Sequence, residues 1–119
     1  MKKTLVMGAS LKPHRYSNMA IRSLVKNGHE VKAFGLKNGT VVDTVIDTEL
    51  IDYKGIHTVT LYMNATRQKD YYSYIIALKP ERVIFNPGAE NFEFKTILDQ
   101  NGIYNEMACT LVMLSTNQY

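Results

Sequence analysis

The residues whose types and spacing could do chemistry sit near the start of the chain. Ser10, Lys12, His14, Arg15 and Ser17 lie in a polar loop, between the apolar run Thr4-Leu5-Val6-Met7 and a stretch of helical spacing that opens at Ser17-Asn18-Met19-Ala20-Ile21. The run ends on Gly8 and Ala9, small enough for backbone N–H groups to come close to an anion. Such a set holds charge rather than breaking bonds. A helix start offers unpaired N–H groups and a partial positive charge, worth roughly 0.3–1 kcal/mol to an anion and about 2 when partly buried. A charge-assisted bond from Lys12, His14 or Arg15 adds on the order of 1.5–3 kcal/mol. Two more glycine turns follow other apolar runs. Gly35-Leu36-Lys37-Asn38-Gly39 carries one cation, Lys37, and Asn86-Pro87-Gly88-Ala89-Glu90-Asn91 succeeds Arg82 to Phe85.

These loops need strands and helices to position them. Leu5 to Met7 does not alternate with polar residues and reads as a fully buried strand. Ser17 is the expected N-cap of the first helix, with Met19, Ala20, Ser23 and Leu24 on its inner face and Gly28 after Asn27 as its stop. Glu30 to Phe34 is the second strand. Val41 to Ile46 reads as a short edge piece or extended loop, and Asp47 to Lys54 as a connector. His57 to Tyr62 is the third strand and Asn64-Ala65-Thr66 a turn and cap. The second helix is expected from about Arg67 to Leu78, ended by Lys79-Pro80. Arg82 to Phe85 is the fourth strand. The third helix buries Phe94, Ile97 and Leu98 and stops at Asn101-Gly102. Ile103 to about Met107 is a fifth strand, and Ala108 to Ser115 a helical turn.

Strands alternating with helices predict an α/β fold: a doubly wound, mostly parallel five-stranded sheet with helices on both faces. In such sheets the ligand crevice opens beside the carboxyl end of the first strand, where the winding reverses. The Gly8 loop falls there, with the Asn86 to Asn91 turn expected at the adjacent strand end.

Composition sets the bounds. The chain has 119 residues, one domain's worth, of which 45% are hydrophobic and 21% charged, as in ordinary globular proteins. The single cysteine, Cys109, excludes an internal disulfide framework and fits a reducing cytoplasm. No secretory h-region and no membrane-length apolar stretch are readable. The net charge of +3 suits an anionic small molecule, and no like-charge run marks a nucleic-acid tail. His14, His29 and His57 lack metal-ligand spacing. Cys109 reads either as a small buried hydrophobe or as a thiol that meets a cofactor sulfur. Glu90 reads as a carboxylate at a helix start. The tyrosines read as packing. No nucleophile–base pair or carboxylate pair is readable, so the chain reads as a binding domain, not an enzyme.

An NAD site needs G-x-G-x-x-G and a carboxylate at the end of the second strand for the ribose diol. Here the loop is Gly8-Ala9-Ser10 and the strand runs into Lys37. A cation at that place fits a phosphorylated ribose, that of NADP or of coenzyme A. NADP binding or sensing is the alternative reading. An interaction module using the basic surface is a third.

Gly8-Ala9-Ser10 with Ser17, the Gly35 to Gly39 turn, Phe85-Asn86-Pro87-Gly88-Ala89-Glu90-Asn91 and Ala108-Cys109-Thr110 together resemble the small stand-alone CoA-binding domain proteins. These are similar to the nucleotide domain of the succinyl-CoA synthetase α subunit. The resemblance covers essentially the whole chain, residues 1–119. It implies a Rossmann-like fold that binds coenzyme A or an acyl-CoA; with no catalytic constellation readable, the expected role is that of a carrier, sensor or regulator. It further implies that Gly8, Ser10 and Ser17 meet the pyrophosphate with the loop between them, Ala9 and Arg15 included. Lys37 would sit near the adenosine 3′-phosphate, Asn64 on the adenine side, and Gly88 and Ala89 against the pantetheine arm. The synthetase's phosphohistidine domain has no counterpart here, so its ligase chemistry is not implied. The expected partner is a small nucleotide cofactor, with no nucleic acid and no membrane. A protein partner or a homodimer is left open.

Overall fold

A computed structural model describes residues 1–119. The first strand, β1 (Thr4–Ala9), runs through the middle of the sheet, and Leu5, Val6 and Met7 are wholly buried. Helix α1 (Tyr16–Lys26) returns the chain to β2 (Val31–Gly35) on one side of β1. A hairpin, β3 (Gly39–Val41) and β4 (Thr44–Asp47), extends that side. The connector then crosses to β5 (Thr58–Leu61), on the other side of β1. A short helix α2 (Ala65–Gln68), a 3-10 turn (Lys69–Tyr71) and helix α3 (Tyr72–Leu78) lead to β6 (Arg82–Phe85). Helix α4 (Phe92–Gln100), β7 (Tyr104–Met107) and helix α5 (Thr110–Ser115) complete the chain.

The sheet order is β3-β4-β2-β1-β5-β6-β7, and every pair is parallel except β3 with β4. Successive strand residues point to opposite faces, so the central strands β1 and β2 feed two cores. Leu5, Met7, Phe34, Leu61 and Phe85 pack with Ile75, Phe94 and Leu98 of α3 and α4. Val6, Ala33 and Ile46 pack with Ile21, Leu24 and Leu114 of α1 and α5. Each fully buried large apolar side chain contributes about 1.5–3 kcal/mol. Tyr72 stacks on Phe94 with ring centroids 4.2 Å apart, and Tyr71 meets Phe34 edge-on at 5.3 Å, so these tyrosines are packing residues. No helix is long and apolar enough to cross a membrane.

The mostly parallel doubly wound α/β architecture is as expected, with four differences. There are seven strands rather than five, because Val41 to Ile46 contributes to an antiparallel hairpin, turned at Val42 and Asp43 with φ of 47° and 64°. The second helix is broken at the 3-10 turn. Helix α1 begins at Tyr16 with Arg15 as its N-cap, so Ser17 lies inside the first turn and is not the cap. That start turns Asn18, Ala20, Ile21 and Leu24 inward and leaves Met19 38% exposed. Finally, the Gly8 and Gly88 turns are not on neighbouring strands, because β5 lies between β1 and β6.

Candidate functional site

The winding reverses at β1, whose neighbours β2 and β5 are reached by crossovers in opposite directions, so a crevice opens at the carboxyl ends of these strands. A cleft of about 610 Å³ lies there. Gly8, Ala9, Ser10, Arg15, Ser17, Lys37, Asn64, Gly88 and Ala89 all line it. The two glycine turns thus share one cleft, with the end of β5 as the wall between them.

Gly8 is what lets the β1 end bend this closely over β5. It has φ +94°, and a Cβ there would stand 2.8 Å from the Tyr62 carbonyl oxygen and 3.3 Å from the Met63 nitrogen. The residue forms a bulge: Met7 pairs with Phe34 and Ala9 with Gly35, leaving Gly8 unmatched. Beyond it the loop is held by its own bonds. Ser10 Oγ accepts from the Lys12 N–H at 3.1 Å, the Asn18 side-chain amide donates to the Ser10 carbonyl at 2.9 Å, and Arg15 N–H donates to the Lys12 carbonyl at 3.0 Å.

The start of α1 is left open. Its N-cap, Arg15, makes no side-chain cap, the first helical bond comes from Met19 N–H to the Arg15 carbonyl, and no acidic residue stands in the first turn. The N–H groups of Tyr16, Ser17 and Asn18 therefore have no helical partner. Ser17 is 5% exposed and makes no side-chain bond to protein. The opposite turn differs. Gly88 N–H donates to Glu90 Oε1 at 2.9 Å, and Ala89 N–H donates to the Asn86 carbonyl at 2.8 Å. The Gly88 and Ala89 N–H groups are thus spent, so this part of the turn is a wall and not a second amide cradle. Glu90 serves that turn, and Asn91 caps α4 by accepting from Phe94 N–H at 3.0 Å.

Four cations line the cleft, Lys12, Arg15, Lys37 and Arg67, and no carboxylate, histidine or cysteine does. None of the four makes an ion pair, although five other lysines do. With no acid to offset them, their field accumulates over the cleft. His14 and Cys109 do not line it, and His29 and His57 lie at the other end of the sheet.

Three residues overlooked in the sequence build the far side. Gln68 is wholly buried; its side-chain N–H groups donate to the Met63 and Ala89 carbonyls, both at 2.8 Å, and its Oε1 accepts from Asn91 at 3.0 Å. It bolts the loop after β5 to the loop after β6. Arg67, next to it, stands in α2, whose start is capped by Asn64 Oδ1 accepting the Arg67 N–H at 2.9 Å. Asn64 is therefore a cap as well as a lining residue. Tyr62 lines the floor, its hydroxyl buried without a partner. Burial pushes that phenol well above its ordinary value. Behind the floor, Asn86 donates to Thr60 Oγ1 at 2.6 Å and accepts from Thr110 N–H at 2.9 Å, tying α5 to the sheet. Gln68 follows no hydrophobic period, so no pattern could have found it, whereas Asn86 stands in the turn read from the sequence and only its bonding role is new. A second, smaller cleft, lined by Ile76, Lys79, Pro80, Asn101, Gly102 and Ile103, lies at the opposite end of the sheet.

The family model described as "CoA binding domain" matches residues 2–115. A crystal structure of an uncharacterized protein superposes with a TM-score of 0.97 at 47% identity, covering 100% of this chain and 98% of that one. A Thermus thermophilus protein gives a TM-score of 0.87 at 21% identity over 99% of this chain and 90% of its own. A hypothetical protein from Pyrococcus horikoshii OT3 gives 0.88 at 23% identity over 97% and 82%. The last two establish likeness of fold alone. No curated protein sequence matches the chain.

Proposed function

The chain belongs to the CoA binding domain family, and from that premise we propose that the cleft at the end of β1 binds coenzyme A or an acyl-CoA. We further propose that the chain serves as a carrier, sensor or regulator rather than a catalyst. The observation that carries this reading is the pairing of an uncapped α1 start with four unpaired cations around one cleft. The diphosphate lies against the N–H groups of Tyr16, Ser17 and Asn18, within reach of Ser10 and Arg15. Lys37, after β2, takes the 3′-phosphate, with Lys12 beside it. Asn64 lines the adenine side. Gly88 and Ala89, whose amides are already bonded, present a neutral wall that suits the pantetheine arm. The hydroxyls in the lining, of Ser10, Tyr16, Ser17 and Tyr62, have no histidine or carboxylate among the lining residues to activate them, which supports a binding role.

Calorimetric titration tests it. CoA is expected to bind, dephospho-CoA to bind about tenfold more weakly for want of one charge-assisted contact, and NADPH to bind more weakly than CoA. Ser17→Asp places a carboxylate among the open N–H groups and is expected to weaken CoA by about tenfold or more. NADPH binding with no response to CoA would transfer the site to the dinucleotide, and Ser17→Asp with undiminished affinity would remove the diphosphate from α1.

A further inference from the structure

Gly35 and Gly39 bracket the turn between β2 and β3, and neither has the positive φ that favours glycine. What keeps them without a side chain is space. A Cβ on Gly35 would run into the Ala9 carbonyl oxygen, and a Cβ on Gly39 would stand 2.5 Å and 2.8 Å from the two methyl carbons of Leu11. Both neighbours come from the end of β1 and the loop that follows it, so the β2–β3 turn is a bed on which Ala9 to Leu11 lie.

The two partners in the Leu11 contact differ in firmness. Gly39 is fixed: it pairs with Ile46 of β4, and the Asn38 side-chain amide beside it donates to the Ile46 carbonyl at 3.2 Å. Two residues on, Val41 is buried in the same core as Ile21 and Leu24 of α1. Leu11 belongs to a loop whose residues, from Leu11 to Tyr16, are all exposed. The bonds between Ser10 and Lys12 and between Lys12 and Arg15 shape that loop from within, and Asn18 ties its first residue to α1. The Leu11 side chain carries the loop across to the hairpin. The contact thereby joins two lips of the cleft. Lys12, Arg15 and the start of α1 follow Leu11, and Leu36 and Lys37 precede Gly39. Gly39 itself does not line the cleft.

We propose that Leu11 seated on Gly39 is a positioning contact for ligand binding: it sets the β1–α1 loop, and with it Arg15 and the start of α1, against the turn that carries Lys37. A loop held in place before the ligand arrives leaves less ordering for the ligand to impose. The inference rests on the CoA reading above for what the cleft holds.

A pair of substitutions on the intact chain tests it. Valine suits a strand better than glycine, so Gly39→Val is expected to keep Tm or raise it. The same change pushes Leu11 off its seat and is expected to weaken CoA about tenfold by calorimetry, one charge-assisted contact drawn out of line. Leu11→Ala empties the seat and is expected to weaken CoA severalfold. In the Leu11→Ala background the valine has no leucine to displace, so adding Gly39→Val should change affinity by a factor near one. Amide nitrogen relaxation of the ligand-free chain is the second readout: Lys12, His14 and Arg15 should be ordered in the unsubstituted chain and more mobile, on the ps–ns timescale, in Leu11→Ala. A Gly39→Val penalty of equal size in both backgrounds, or none in the unsubstituted one, overturns the inference and leaves the CoA reading standing. So does a Gly39→Val variant whose Tm falls along with its affinity, since the glycine then serves folding. If the unsubstituted chain binds no CoA, the CoA reading falls and the relaxation measurement decides alone: loop amides equally mobile with and without the Leu11 side chain overturn the contact, and loosening in Leu11→Ala supports it.

Discussion

Gly8→Ala is the substitution whose cost can be worked most directly from the geometry. The residue has φ +94°, where an L side chain is strained, and the added Cβ would meet the Tyr62 carbonyl oxygen at 2.8 Å, the Tyr62 carbonyl carbon at 2.9 Å and the Met63 nitrogen at 3.3 Å. The backbone strain costs about 1–2 kcal/mol. The contacts are with main chain just past the end of β5, not a flexible tip, so overpacking adds about 1–3 kcal/mol. A chain of this length unfolds with an entropy of about 250 cal/mol/K near its midpoint, so a loss of about 2–5 kcal/mol lowers Tm by about 8–20 °C. Gly28→Ala isolates the first component. Gly28 follows α1 with φ +83°, and nothing lies within 4 Å of its added Cβ. It is expected to lose only about 1–2 kcal/mol and 4–8 °C. Thermal unfolding followed by circular dichroism compares the two. The Gly8 variant should also bind CoA more weakly, because the β1 exit must move off β5 and spread the cleft. A Tm for Gly8→Ala equal to that of Gly28→Ala, with CoA affinity undiminished, would refute the claim that this close approach shapes the site.

Three further predictions concern the supports. Gln68→Leu strands the Met63 and Ala89 carbonyls and the Asn91 amide and is expected to cost about 3 kcal/mol, a Tm loss of about 12 °C by thermal melt. Asn91→Ala removes the α4 cap together with its bonds to Gln68 and the Tyr72 hydroxyl, and should cost about 1–2 kcal/mol, read from the denaturant midpoint. His29 and His57 are held below their ordinary value, chiefly by burial, with Lys2 and Arg82 as further positive neighbours. The native state therefore binds fewer protons than the unfolded chain, and stability present above about pH 6.5 should fall as pH drops below it. A Tm unchanged between pH 7.5 and 5 would contradict this assignment.

Much of this was legible in the residues. The short unbroken apolar runs at Leu5 and Val83 read as strands buried on both faces, and with the strand ending at Phe34 they placed the three glycine turns at the carboxyl edge. All nine residues expected at the site line one cleft. What sequence patterns misplaced has physical causes. Ser17 has the propensity of a helix cap, yet Arg15 holds that position and the end of α1 is left uncapped beside the cleft; a broken local rule at a candidate site is where such failures are expected. Moving the helix start turned Met19 outward. The Val42-Asp43 turn lacks the Asn-Gly signature of a tight hairpin, so two short edge strands read as one short edge piece or an extended loop. Gln68 gives no signal in the sequence because a glutamine in a helical stretch is usually exposed, and only the two carbonyls that meet above it make burial favourable.

The central claim, that the cleft beside the α1 start holds coenzyme A, is tested most directly by mapping amide chemical shifts of the labelled chain during titration with CoA. The account predicts the largest changes at Ser10, at Tyr16 to Asn18, and at Lys37 and Gly88, saturating together. Changes gathered instead around Ile76, Lys79, Asn101 and Gly102 at the opposite end of the sheet, or no changes at saturating CoA, would contradict it.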